Sequence, residues 1–159
     1  LHGDMTPTEL NSLYNHPKVK AHLSFTKGEG FGRPLLEASL SGKPVIASNW
    51  SGQVDFLKHS VMLPGEVKQV HPSVHWKDVI LPESGWFSVN YNYASKVLKD
   101  VFKKYKDYIP NARKQRRYSI DNFSLEKMNS DFKTMVDTHV KRTEQVQIKL
   151  PTLPQLKEV

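Results

Sequence analysis

Cysteine is absent from the 159 residues, which excludes disulfides and thiolate-held metal sites and is compatible with a reducing cytoplasm. No stretch approaches the roughly 20 apolar residues that a membrane-spanning helix requires. The opening residues, Leu1-His2-Gly3-Asp4, lack both the basic segment and the apolar run of a secretory signal. The expected setting is therefore cytoplasmic, at most peripheral to a membrane surface. An initiator methionine is lacking as well, so the chain is expected to be cut from a longer protein. No internal repeat is visible. Acidic residues are the minority, 16 against 23 Lys and Arg, and the resulting net charge of +7 favours anionic partners such as phosphates, nucleic acid or an acidic membrane. The run Arg113-Lys114-Gln115-Arg116-Arg117 reads most simply as a solvated helix face, and nucleic acid is not the expected partner. With 38% hydrophobic residues, the composition is that of one folded domain rather than a disordered chain.

What is present has a recognisable rhythm. Thr6-Pro7-Thr8-Glu9 is composed as a helix start, with a capping threonine, a proline in the first turn and a glutamate to complete a capping box. Leu10, Leu13 and Tyr14 form its apolar face, and Asn15-His16-Pro17 ends it. Val19 to Thr26 reads as a strand, Pro34 to Ser41 as a short helix broken by Gly42, and Pro44 to Ser48 as a buried strand. Asn49-Trp50-Ser51-Gly52 is a turn, Gln53 to Leu57 a brief helix and Ser60 to Leu63 another strand. This alternation predicts an α/β fold, a Rossmann-like parallel sheet with flanking helices. Pro64 to Trp86 shows no sustained period and is expected to be an irregular loop. Helical periodicity returns with Tyr93, Val97, Leu98, Val101, Phe102 and Tyr105, and again near Ala112 to Ser119. A last helix, capped by Ser124, carries Leu125, Met128, Phe132, Met135, Val136 and Val140 on its expected inward face. One domain is expected over residues 1–142, with 143–159 an extended tail.

The stretch Lys27 to Ser48 carries the chemistry. A strand feeds Gly28-Glu29-Gly30-Phe31-Gly32, and that turn opens into a helix. Glycines let a ligand come close to the backbone, and the amides at a helix start suit a phosphate group. The stretch is neither a Walker loop nor a G-x-G-x-x-G fingerprint. Glu29 in the loop and Glu37 in the helix have seven residues between them, so each can grip a different part of one extended ligand. Ionised carboxylates accept pairs of hydroxyl hydrogen bonds, which suits the vicinal diols of a hexose and a ribose.

This stretch resembles the E-x7-E motif of family 4 retaining glycosyltransferases, matching at Glu29, Gly30, Phe31, Gly32, Pro34, Glu37 and Ala38, then at Gly42-Lys43-Pro44-Val45 and Gly52. The resemblance extends more weakly over Gly3 to Tyr14 and over Asn122-Phe123-Ser124. It implies the C-terminal, donor-binding half of a two-domain GT-B enzyme. By the same resemblance, Glu29 contacts the donor sugar as the catalytic carboxylate, Gly30, Phe31, Gly32 and Arg33 hold the sugar and diphosphate, and Leu35, Leu36 and Glu37 hold the nucleotide. The implied substrate is a UDP- or GDP-linked hexose, transferred with retention to a glycan, lipid-linked or protein acceptor, with no cofactor and no metal. An N-terminal acceptor domain is implied but not contained here, so the chain alone is expected to be inactive.

Departures from the family pattern limit the resemblance. The family's diphosphate-binding Arg and Lys and the acceptor-side histidine lie upstream of these residues. His59-Ser60-Val61-Met62-Leu63-Pro64-Gly65 stands where the family has an Asp-Gly-x-x-Gly turn. Arg33 is equally compatible with a place beside the phosphates and with solvent. Lys27 and Lys43 receive no role, and His71 and His75, separated by Pro72 and without a third ligand, read as coincidence rather than a zinc pair. Trp50, Trp76 and Trp86 could each stack on a sugar, Trp50 being best placed, though partial burial is the plainer expectation. Ser24, Ser48 and Ser51 show no nucleophile elbow. The rival readings are a non-catalytic nucleotide or sugar-phosphate module, a nucleic-acid module on the Arg113 to Arg117 run, and, weakest, a two-carboxylate glycosidase.

Overall fold

The computed structural model describes residues 3–140. The first helix, α1 (Pro7–Asn15), forms where the capping box predicts it: the Thr6 hydroxyl accepts from the Glu9 amide, and the Glu9 carboxylate accepts from the Thr6 amide at 2.8 Å. Strand β1 (His22–Ser24) is shorter than the Val19 to Thr26 reading. It leads through the glycine-rich turn into α2 (Arg33–Ser39), then β2 (Val45–Ser48), a 3-10 turn (Gly52–Asp55) and β3 (Val61–Leu63). The three strands form a parallel sheet in the order β1-β2-β3, with His22 beside Val45 and Ile46 beside Val61.

The central strand is buried throughout because both faces of the sheet are covered. On one face Ile46 and Leu63 pack with Phe87, Val89, Ala94 and Val101; on the other Val45 and Ala47 pack with Leu35, Phe56 and Leu57. The outer edge of β1 is unpaired among the described residues, and Leu23 there is 48% exposed.

The ends of the segment expected to be an irregular loop, 64–86, pair as a hairpin, while 70–84 between them carry only a 3-10 turn (Pro72–Val74) and an isolated bridge. Strands β4 (Gly65–Gln69) and β5 (Gly85–Val89) pair antiparallel, with Val67 opposite Phe87. Every β4 side chain is exposed, so the strand has no buried face to impose the period by which strands are read. Helix α3 (Tyr91–Lys103) follows, capped by the Asn90 side chain, which accepts from the Tyr93 amide. Helix α4 (Tyr105–Phe123) is longer than the Ala112 to Ser119 reading and runs through exposed Pro110.

Contacts divide the chain into two compact units, Leu1–Ser124 and Leu125–Val159. In the second unit α5 (Leu125–His139) has no buried residue. Leu125, Met128, Phe132, Met135 and Val140, expected inward, are 53–63% exposed. The apolar stripe is as periodic as predicted, but its own unit offers it no packing partner among the described residues. The tail 143–159 lies outside the described residues. No helix among the described residues is long and apolar enough to cross a membrane.

Candidate functional site

Two turns leave the C-terminal ends of β1 and β2, the side on which open α/β sheets place their ligands, and close on each other. The Ser51 hydroxyl donates to the Glu29 carbonyl at 2.5 Å and accepts from the Glu29 amide at 3.1 Å, while the Gly52 amide donates to the same carbonyl at 3.1 Å. One hydroxyl thus holds both backbone groups of a candidate catalytic residue. Ser51 does so with φ 70° and ψ −162°, a conformation that L-residues with a side chain rarely adopt. The approach is close enough that a β-carbon on Gly52 would stand 2.2 Å from the Gly30 oxygen and 2.7 Å from the Phe31 α-carbon. Beneath the turns, Ser48 donates to the Thr26 carbonyl and receives a bond from fully buried Gln53.

Gly32 caps α2 in the left-handed region, φ 91°, with Gln53 and Phe56 packed below it. The Phe31 ring lies against Phe56 and Phe123, at centroid distances of 5.0 and 6.1 Å, and so pins the turn to one of the two cores. The amides of Gly30, Phe31 and Gly32 make no hydrogen bond to the described residues. Those of Leu35 and Leu36, expected to face a ligand, both donate to the Gly32 carbonyl. The first turn of the helix thus engages both amides, while the Arg33 amide that opens α2 stays, like the three before it, without a hydrogen bond to the described residues.

The two glutamates open onto different cavities. Glu29 lines one of about 210 Å³ with Tyr14, His22, Ser24 and Pro34. Glu37 lines a groove of about 460 Å³ with Arg33, Tyr14, Leu10 and Met5. Tyr14 borders both, so the cavities adjoin across its ring. Arg33, 82% exposed at its side chain, bonds Glu37 at 3.1 Å and therefore stands in the Glu37 groove rather than away from it. Burial raises the Tyr14 hydroxyl above its ordinary pKa, the Glu37 charge adds to this, and Arg33 opposes it. Burial likewise holds His22 below the usual histidine range, helped by the charge of Lys43.

Lys43 also fixes this wall of the site. Its ammonium donates to the Tyr14 and His16 carbonyls, each at 2.7 Å, tying the end of α1 to the start of β2. On the other side Trp50 stacks on Phe87 with parallel rings 5.6 Å apart, and the Lys27 ammonium lies 4.5 Å over the Trp86 ring. A cavity of about 480 Å³ at the base of the hairpin, lined by Pro64, Gly65, Glu66 and Asn90, contains neither glutamate of the motif. The chemistry therefore points to the cavities astride Tyr14 instead.

The sequence reading missed Ser51, Tyr14 and the anchoring ring of Phe31. The only signal for Ser51 was its place beside Gly52 in a turn leaving a strand. Residues 1–75 match the family model described as Glycosyl transferases group 1, which supports a glycosyltransferase domain over that part of the chain. No curated protein and no solved structure matches the chain significantly.

Proposed function

We propose that the chain binds a UDP- or GDP-linked hexose across the two cavities that adjoin at Tyr14, for transfer of the hexose with retained configuration. The observation that carries this reading is the separation of the carboxylates: Glu29 on one cavity, Glu37 on the next, and three unengaged amides in the turn between them. A ligand with a diol at each end and a diphosphate in the middle uses all of these groups at once. Glu37 accepts from the ribose hydroxyls, with Arg33 beside it adding positive charge. Glu29, fixed by Ser51, accepts from the hexose hydroxyls. The amides of Gly30, Phe31 and Gly32 meet the diphosphate and stabilise the charge that develops as it leaves. This reading assigns that stabilisation to amides and basic side chains rather than to a metal.

Transfer also needs an acceptor surface and a means of excluding water. In this proposal an acceptor-binding domain outside residues 1–159 supplies both, and further strands pair with the open edge of β1. Saturation-transfer NMR with UDP-glucose and GDP-mannose tests the donor assignment. Glu37→Gln is expected to erase the contact to ribose protons, and Glu29→Gln the contact to hexose protons. Equal loss of both contacts in either variant would remove the basis for separate roles.

A further inference from the structure

Residues 96–117 contain nine Lys or Arg and two Asp, a net +7 as large as that of the whole chain. The remaining residues are therefore balanced, and the excess charge belongs to the consecutive helices α3 and α4. All nine basic residues are exposed. Asp100 is already engaged, accepting from Tyr108 at 2.6 Å and pairing with Lys104 at 2.8 Å. On α3, Lys96, Lys99 and Lys103 recur at spacings of three and four and share one face. Phe102 adjoins Lys99 on that surface and is 87% exposed, more than any other large hydrophobic residue described.

We infer that this face of α3 docks on a membrane surface rich in anionic lipid headgroups. Lysine stripes gather anionic headgroups by charge, and an exposed ring among them can enter the acyl boundary. The same observations fit nucleic acid less well. Two of the three arginines that would fork onto phosphates or base edges are engaged elsewhere: Arg116 donates to the Leu40 carbonyl and Arg117 pairs with Asp121, leaving Arg113. What α3 offers instead is point charges around one apolar side chain. The surface shares no residue with the glycine-rich turn, so the inference does not depend on the donor reading.

Co-sedimentation of the full chain with lipid vesicles tests it. Vesicles of phosphatidylcholine containing about one third phosphatidylserine should bind the chain, and vesicles of phosphatidylcholine alone should not. Phe102→Ala, which leaves the charge unchanged, should weaken binding about ten-fold. Lys96→Gln, Lys99→Gln and Lys103→Gln should each weaken it about five-fold. High salt should release the unmodified chain, since the screening length falls to about 3 Å at 1 M. Each variant changes an exposed side chain, and circular dichroism verifies its fold. Absence of binding to anionic vesicles, equal binding to neutral ones, or indifference to Phe102→Ala would overturn the proposal. So would tighter binding to a duplex or single-stranded oligonucleotide than to the anionic vesicles.

Discussion

Alanine at Gly52 and alanine at Gly30 add the same methyl group to two backbones that touch, with opposite expected consequences. At Gly52 the methyl would lie 2.2 Å from the Gly30 oxygen and 2.7 Å from the Gly30 carbonyl carbon, both backbone atoms, so the two turns must separate. Overpacking of this kind costs about 1–3 kcal/mol, and losing the Gly52 to Glu29 hydrogen bond adds about 1 kcal/mol, giving about 2–4 kcal/mol in all. For a unit of this size that corresponds to a Tm lower by roughly 8–15 °C. At Gly30 a β-carbon meets nothing within 4 Å. Gly30→Ala should therefore keep its stability within about 1 kcal/mol of the parent. If the glycine is there to let a ligand approach the backbone, the same variant should lose nucleotide-sugar affinity by about ten-fold or more. Calorimetric melting and donor titration of both variants read the two effects separately. An unchanged Tm for Gly52→Ala would refute the tight closure of the turns. Undiminished donor binding by Gly30→Ala would refute ligand approach at Gly30.

Three further outcomes follow from the site. Ser51→Gly removes the strained φ as well as the hydroxyl, whereas Ser51→Ala removes only the hydroxyl, so Tm should be higher in the glycine variant while both lose the grip on Glu29; the reverse Tm order would contradict the strain. His22 has a lowered folded pKa, so between that value and its unfolded value of about 6.5 the unfolded chain binds more protons. Its contribution is fully present above about pH 6.5 and is lost as pH falls through the folded value; urea unfolding should show this, and His22→Gln should flatten it. Lys43→Met removes two hydrogen bonds from a charged donor and should lower stability by about 1–3 kcal/mol, with a weaker nucleotide affinity because the end of α1 carries Tyr14.

The sequence was most legible where local chemistry and tertiary structure agree. The capping box at Thr6 and Glu9 announced α1, and the apolar run from Val45 announced a strand that the fold covers on both faces. The glycine-rich turn between β1 and α2 was legible for the same reason: its spacing and its flanking elements are local. The hairpin was not, because exposed β4 has no reason to alternate and its partner lies beyond a long connection. Helix α4 begins seven residues before the Ala112 to Ser119 periodicity shows it. The stripe on α5 is as periodic as expected and stands exposed rather than inward, since periodicity reports a face and not what covers it. In the site, both glutamates were legible from their spacing. Ser51 and Tyr14 were not, because each acts on a segment distant in the chain, Ser51 on a residue 22 positions away.

The most direct test is calorimetric titration of the chain with UDP, GDP and their glucose and mannose conjugates, beside Glu37→Gln. The account predicts saturable one-to-one binding of at least one nucleotide, weakened at least ten-fold in the variant, the loss expected when a charged acceptor worth about 1.5–3 kcal/mol is removed. The ion pair to Arg33 is exposed and contributes little to stability, so the variant should melt within about 1 kcal/mol of the parent. Equal nucleotide affinity in the parent and Glu37→Gln would contradict the central claim.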